Sequence, residues 1–370
     1  MSRIDFDAED NALSRALAAR TEPLVDLTLS NPTEAGLPYE EERILAALAR
    51  PEALRYQPDP RGLLAAREAV AAHAGARAEQ VLLTASTSEA YSLLFKLLCD
   101  PGDVVLVPEP SYPLFGLLTA LESVKTATYP LRWDGEWHLD AAALEFPERT
   151  RAVLVVSPGN PTGAYLKQDE LRGLEAACAA HGCALIVDEV FADYGFAPDA
   201  RRAGAPETVL SFRLSGLSKV AGLPQLKLGW CIAGGPGAAE ALRRLELIAD
   251  TYLSVSTAVQ AGAAELLETR HLFQRALKER LERNLAELRR VRAPGAAWDV
   301  LRPEGGWSAI LSVPRARTEE EWALLLLERG VLVHPGYFFD FAGGGFLVVS
   351  LLPPEEVFAR GAALLAAALG

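Results

Sequence analysis

Six lysines stand against thirty arginines in this chain. One of them, Lys219, ends the segment Ser215-Gly216-Leu217-Ser218-Lys219 behind an apolar run, eight residues before Lys227-Leu228-Gly229-Trp230. An amine placed this way could condense with an aldehyde. Attack needs the neutral form, whereas a free lysine, with a pKa of about 10.4, is almost wholly protonated at neutral pH. A lysine used so requires a desolvated or cationic pocket, or storage as an imine. A surface lysine on a loop would fit the same local sequence, so other segments must carry the argument.

Val187-Asp188-Glu189-Val190 reads as a strand ending in two acids. A strand of this kind also describes the magnesium-holding strand of an ATPase, but that reading needs a GxxxxGK[ST] phosphate loop, and the sequence has none. Alternatively Asp188, about thirty residues before Lys219, holds a cationic ring nitrogen through a charge-assisted hydrogen bond. Ser157-Pro158-Gly159-Asn160-Pro161-Thr162-Gly163 follows a strand and is turn-like in composition, and the Asn160 amide could donate to a phenolic oxygen. Thr84-Ala85-Ser86-Thr87-Ser88-Glu89-Ala90 places hydroxyls between a strand and a helix, where free amides favour a phosphate and where an ordinary N-cap is equally at home. Tyr112, after Pro110-Ser111, is either core or a stacking face for a planar ligand.

The elements that must position these residues follow from hydrophobic periodicity. Buried strands are expected over Val81 to Thr84, Val104 to Val107, Ala152 to Ser157, Ala184 to Asp188, Val209 to Leu214 and Gly229 to Ala233, with helices over Ser88 to Cys99 and Asp169 to His181. Such alternation means an α/β fold with a mostly parallel sheet, whose ligands gather beyond the carboxyl ends of the strands. Arg270 to Arg292 reads as a long, charged helix with a solvated face. Short strands are expected at Gly306 to Val313, Val331 to His334 and Phe346 to Leu351, and a final helix closes the chain. At 370 residues two domains are expected. The net charge of −13 disfavours nucleic acid and anionic membrane surfaces as partners. No apolar stretch reaches the roughly 20 residues of a membrane span. Cys99, Cys178, Cys183 and Cys231 lack metal-ligand spacing and read as reduced residues of a cytoplasmic protein.

In this order and spacing the segments resemble the aspartate aminotransferase family, the class I and II aminotransferases of fold-type I, over essentially the whole chain from Ser30-Asn31-Pro32-Thr33 onward. The resemblance implies a large domain with a mostly parallel seven-stranded sheet at residues 41–283, and a smaller α+β domain made of residues 1–40 and 284–370. It implies pyridoxal 5'-phosphate as cofactor and no metal. Lys219 would form the internal aldimine and shuttle the proton, Asp188 would hold the pyridine nitrogen, Asn160 the phenolic oxygen, and Tyr112 would stack on the ring. Ser86, Thr87 and Lys227 would bind phosphate. Tyr56 would cross a homodimer interface to the neighbouring site, and Gly36 would lie near the substrate carboxylate.

Three positions depart from the family pattern. Phe191 stands where a tyrosine usually gives the phenolic oxygen a second donor, which predicts a more electron-rich oxygen and a raised imine pKa. Lys227 replaces a phosphate-binding arginine, keeping the charge but losing the bidentate fork. Val348, in Phe346-Leu347-Val348-Val349-Ser350, stands where an arginine usually clamps the substrate carboxylate, and Arg61 is the candidate replacement. Tyr252, Trp307, Tyr337, Phe338 and Phe339 fall where substrate walls are usual or else belong to the core, and His334 reads as a structural strand-end residue. The expected activity is transfer of an amino group from an L-amino acid, alanine-type or aromatic, to a 2-oxo acid. A carbon–sulfur lyase or an amino-acid decarboxylase is the alternative on the same scaffold. A cofactor-binding regulator would need a DNA-binding module, and none is expected because the chain begins almost at the enzyme domain.

Overall fold

A computed structural model describes residues 10–199 and 201–370. The first nine residues of the expected small domain and position 200 lie outside the described residues. One sheet carries the strands in the order Val81–Thr84, Gly229–Gly234, Ser211–Gly216, Ala184–Asp188, Thr150–Val156, Val104–Glu109, Lys125–Trp133 and Trp137–Leu139. Four of its seven pairings are parallel, and the antiparallel ones are the two made by Gly229–Gly234 and the edge hairpin. The expected seven strands therefore become eight. The extra one, Trp137–Leu139, returns after the Asp134-Gly135 turn to pair Trp137 with Trp133 and Leu139 with Leu131.

The inner strands form where the sequence is continuously apolar, because both faces are covered by helices. Ala184–Asp188 is buried at every position, and one face of the sheet packs Leu154, Ile186, Phe212 and Leu214 against Leu94, Phe95 and Leu245 from the helices. The helix Gln168–His181 ends at Gly182, which takes the left-handed conformation (φ 65°) that favours glycine. Five strands end on one side of the sheet just before the polar segments singled out above, namely Val81–Thr84, Val104–Glu109, Thr150–Val156, Ala184–Asp188 and Ser211–Gly216. The last of these runs two residues further than expected, so its end feeds directly into the short helix Leu217–Val220 that contains Lys219.

A second, four-stranded antiparallel sheet contains Asp299–Val300, Ser308–Ser312, Phe346–Ser350 and His334–Pro335. The run expected as one strand, Val331 to His334, is divided between two sheets. Val331–Leu332 pairs in parallel with Val25–Asp26, while His334–Pro335 turns to pair with Val348 and Leu347. The first pairing joins the N-terminal segment to the C-terminal part of the chain. The long helix is Arg270–Val291, and its buried residues Phe273, Leu277, Leu281, Leu285 and Leu288 share a core with Phe358, Ala362 and Leu365 of the last helix, Glu355–Leu369. Position 283 thus falls inside one continuous helix.

Candidate active site

Strand ends and helix starts converge on one cleft of about 420 Å³, within the usual range for a small-molecule site. Among its lining residues are Ser86, Thr87, Tyr112, Asn160, Asp188, Phe191, Lys219, Lys227, Trp307 and Phe339.

Asp188 lies at the floor. Its Oδ2 accepts a hydrogen bond from the Tyr91 hydroxyl at 2.6 Å, and its Oδ1 accepts from the Val190 amide at 3.1 Å. Burial raises the carboxyl's pKa above the ordinary aspartate value, while Tyr91, Val190 and the nearby Lys219 oppose the rise. The acid is therefore costly to ionise alone and is suited to face a buried cation. Tyr91 was not singled out in the sequence. It lies one turn into the helix Thr87–Leu98, four residues after Thr87, so the helix whose first amides face the cleft also braces Asp188. Removing the hydroxyl with Tyr91→Phe should leave one carboxylate lone pair unmatched. Cofactor affinity, measured by equilibrium dialysis, should fall roughly tenfold, the equivalent of about 1.5 kcal/mol for a hydrogen bond to a charged group.

Lys219 is held through its backbone. Its carbonyl accepts from the Tyr194 hydroxyl, and the next carbonyl, Val220, accepts from the Gln274 side chain at 2.8 Å. The amine stands 5.3 Å from the Trp307 ring centroid and 5.9 Å from that of Phe191, and these two rings meet edge to face. Burial lowers the lysine pKa, and Asp188 only partly offsets it. Desolvation thus moves both members of the pair toward their neutral forms, and a neutral amine is what attack on an aldehyde requires.

The opposite end of the cleft is built for an anion. Ser86 caps the helix Thr87–Leu98, its Oγ accepting from the Glu89 amide at 3.1 Å, while Glu89 accepts from the Ala85 amide at 2.6 Å. This reciprocal cap occupies one lone pair of Ser86 and leaves its hydroxyl proton free to donate. Gly229 abuts this turn so closely that a Cβ there would stand 2.8 Å from the Ser86 carbonyl carbon. Lys227, exposed at the rim, adds the positive charge. Asn160 reaches the cleft from the turn after Thr150–Val156, a turn tied to the acid's strand by the Ser157 amide donating to the Asp188 carbonyl at 2.8 Å.

Some expected residues are placed elsewhere. Arg61 does not line the cleft, because its guanidinium donates to the backbone carbonyls of Ala78, Glu79 and Val81. Gly36 is exposed on a left-handed turn outside the lining, and the Ala35 and Gly36 carbonyls accept from Arg280. Tyr56 is 81% exposed and lines a separate depression with Tyr252 and Ser254. Tyr337 is exposed and donates to Glu320 at 3.3 Å, and Phe338 packs against His334. His334 itself lines the cleft, as do Ser218, Ser308, Val348 and Ser350.

Pyridoxal 5'-phosphate, the cofactor implied by the resemblance, needs an amine, an acid for its ring nitrogen, donors for a phosphate dianion and a flat gap between apolar walls. Lys219, Asp188, the Ser86 turn and the space beside Phe191 and Tyr112 supply these within one cleft, and Gly229 leaves the phosphate end clear of a side chain. The residues present fit the group.

Comparison with known proteins agrees with this fit. The family model described as aminotransferase class I and II matches residues 22–359. The glutamate-pyruvate aminotransferase AlaA of Escherichia coli K12 is 25% identical over 274 residues, which cover 70% of this chain and 68% of that protein. The alanine aminotransferase of Mycobacterium bovis is 28% identical over 367 residues, 91% and 83% of the two chains. Among solved structures, an alanine aminotransferase from Pyrococcus furiosus superposes with a TM-score of 0.83 at 24% identity, covering 96% of this chain and 94% of the other, a likeness of fold. The chain belongs to the class I and II aminotransferases, enzymes that work with pyridoxal 5'-phosphate.

Proposed function

We propose that this aminotransferase takes alanine or a similar neutral amino acid as donor and a 2-oxo acid as acceptor, with Lys219 as the residue that handles the proton. The observation that carries the reading is the half-buried Lys219 amine, its pKa lowered by burial, in one cleft with Asp188. Relatives named for alanine or for glutamate and pyruvate support the substrate class. The apolar walls formed by Leu114, Phe115, Val190 and Phe191 suit a small neutral side chain better than an acidic one.

When bound, pyridoxal phosphate supplies an aldehyde that accepts the amino group and a ring that takes up the electron pair freed at the substrate α-carbon. The neutral Lys219 amine would take the proton from the substrate α-carbon and deliver it to the carbon supplied by the aldehyde. Asp188 would keep the ring nitrogen protonated, with Tyr91 and Val190 holding its carboxylate in place for that task. Asn160 would donate to the phenolic oxygen, Tyr112 would cover the ring, and Ser86, Thr87 and Lys227 would hold the phosphate by helix-end amides, hydroxyls and charge. Phe191 and Trp307 exclude water around the amine.

With alanine alone, one equivalent of pyruvate per site should accumulate and then stop, and added 2-oxoglutarate should release glutamate. Continuous release of ammonia or carbon dioxide without an acceptor would overturn the reading.

We also propose that the enzyme is a cytoplasmic homodimer, its four cysteines being free thiols suited to a reducing compartment. Residues 41–283 would close against the remainder, with the helix Arg270–Val291 spanning both. The exposed Tyr56, Leu54 and Leu247 give the dimer an apolar surface to bury, and Tyr56 would reach the partner's phosphate. If so, mixing inactive Tyr56→Ala and Lys219→Ala subunits should restore on the order of a quarter of parental activity. Half of the resulting dimers are hybrids, and each hybrid carries one intact site. A mixture as inactive as its parts would remove Tyr56 from the neighbouring site.

A further inference from the structure

We propose that His334 is the residue that binds the carboxylate carried by both the amino-acid and the 2-oxo-acid substrates. The inference rests on the cleft being the substrate site proposed above. A carboxylate drawn between apolar walls loses its water and needs donors, best of all cationic ones, to replace it. Among the described residues no arginine lines the cleft, and Arg61 is engaged with backbone carbonyls elsewhere. Of the basic groups that do line it, Lys219 is the reacting amine, and Lys227 directly precedes Leu228-Gly229, whose backbone abuts the Ser86 turn. That leaves the imidazole of His334.

His334 belongs to the second sheet, across the cleft from the strands that deliver Lys219 and Asp188. On the adjacent strand its register partner is Val348, and two residues further along that strand, on the same face, Ser350 pairs with Ser308. These four residues all line the cleft and make a wall of one imidazole, two hydroxyl side chains and one aliphatic surface. Ser350 Oγ already accepts from the Leu352 amide at 3.1 Å, which leaves its hydroxyl proton available to a second acceptor. The ring of His334 is flanked by Phe338 and Phe339, each with its centroid 5.8 Å away, so its plane is set by packing. The acidic neighbour, Asp26, is engaged by the amide and hydroxyl of Thr28 at 2.7 and 2.6 Å. A neutral imidazole offers one N–H to a carboxylate, and the bound anion favours the second proton. Val348 beside it contributes contact and no competing acceptor.

The test uses the cofactor-loaded enzyme and three small probes: alanine, propionate, which keeps the carboxylate without the amine, and 2-aminopropane, which keeps the amine without the carboxylate. In the parent protein propionate should compete with alanine. His334→Ala should weaken propionate binding, read by calorimetric titration, roughly 10- to 100-fold, the range expected for a lost charged hydrogen bond. It should raise the KM for alanine by a similar factor with a smaller change in kcat, and leave the affinity for 2-aminopropane unchanged. His334→Gln, which keeps a donor and most of the volume, should fall between. If both variants bind propionate like the parent, or lose propionate and 2-aminopropane equally, His334 is a structural residue and the proposal is wrong. If propionate fails to compete with alanine in the parent, the reading of the cleft as the substrate site falls, and this assignment falls with it.

Discussion

Lys219→Ala should reduce transamination by at least roughly 10³-fold while leaving a folded protein that still takes up cofactor. The estimate lies within the range for removal of a positioned general base, and loss of the covalent anchor adds to it. The remaining contacts at the phosphate end and at Asp188 do not depend on the lysine side chain, because Lys219 is tied to Tyr194 through its backbone carbonyl. Borohydride should fix the cofactor to a Lys219-containing peptide in the parent and to no peptide of the variant. Methylamine, small enough for the vacated space, should restore part of the rate in a saturable manner if the missing function is that of a base. Persistence of borohydride fixation in the variant would transfer the role to another of the six lysines.

The same residue makes a pH prediction with a definite sign. Burial lowers the Lys219 pKa from the ordinary lysine value, so the neutral, reactive amine is populated at lower pH than on the surface. In cofactor-free protein, the initial rate at which Lys219 is captured by pyridoxal phosphate should rise with pH. It should reach half its maximum below about 10.4, the value for a free lysine. A half-point at or above that value would mean that burial does not depress this amine.

Much of this was legible in the sequence because buried parallel strands announce themselves as continuous apolar runs and the segments that line the cleft follow directly at their ends. Val81–Thr84 and Ala184–Asp188 have the boundaries expected. The strand Lys125–Trp133, next to the sheet edge, carries no such signal, since most of its residues are exposed and its sequence includes Pro130. Tyr91 was hidden for a different reason. It looks like one more apolar position on an amphipathic helix, and only the tertiary crossing of that helix over the sheet brings its hydroxyl to Asp188. Arg61 misled because a charge near the expected interface says nothing about backbone carbonyls that will claim it, here those of Ala78, Glu79 and Val81. His334 read as a structural strand-end residue, whereas it opens the separate strand His334–Pro335. Its place in the cleft follows from the division of Val331 to His334 between two sheets, and a short apolar run does not encode that division.

Asp188→Asn should cost roughly 10²- to 10³-fold in turnover, the range for removing one preorganised electrostatic partner of the charge that develops in the reaction. The size follows from where the carboxylate sits. It is buried at the cleft, and its two oxygens are already held by Tyr91 and Val190, so little reorganisation is needed for it to hold a protonated ring nitrogen while the electron pair enters the ring. An asparagine of the same shape keeps the packing but removes the charge, and an electron-withdrawing ring without its proton is a weaker sink. The substitution also acts on Lys219. The Asp188 charge holds the lysine pKa up against burial, so its removal should move the pH profile of Lys219 capture further down, even as turnover falls. Two changes of opposite sense from one isosteric substitution, a more reactive amine at low pH and a slower enzyme, would separate the electrostatic role of Asp188 from any structural one. Loss of turnover with an unmoved capture profile would mean that the carboxylate and the amine are not coupled across the cleft.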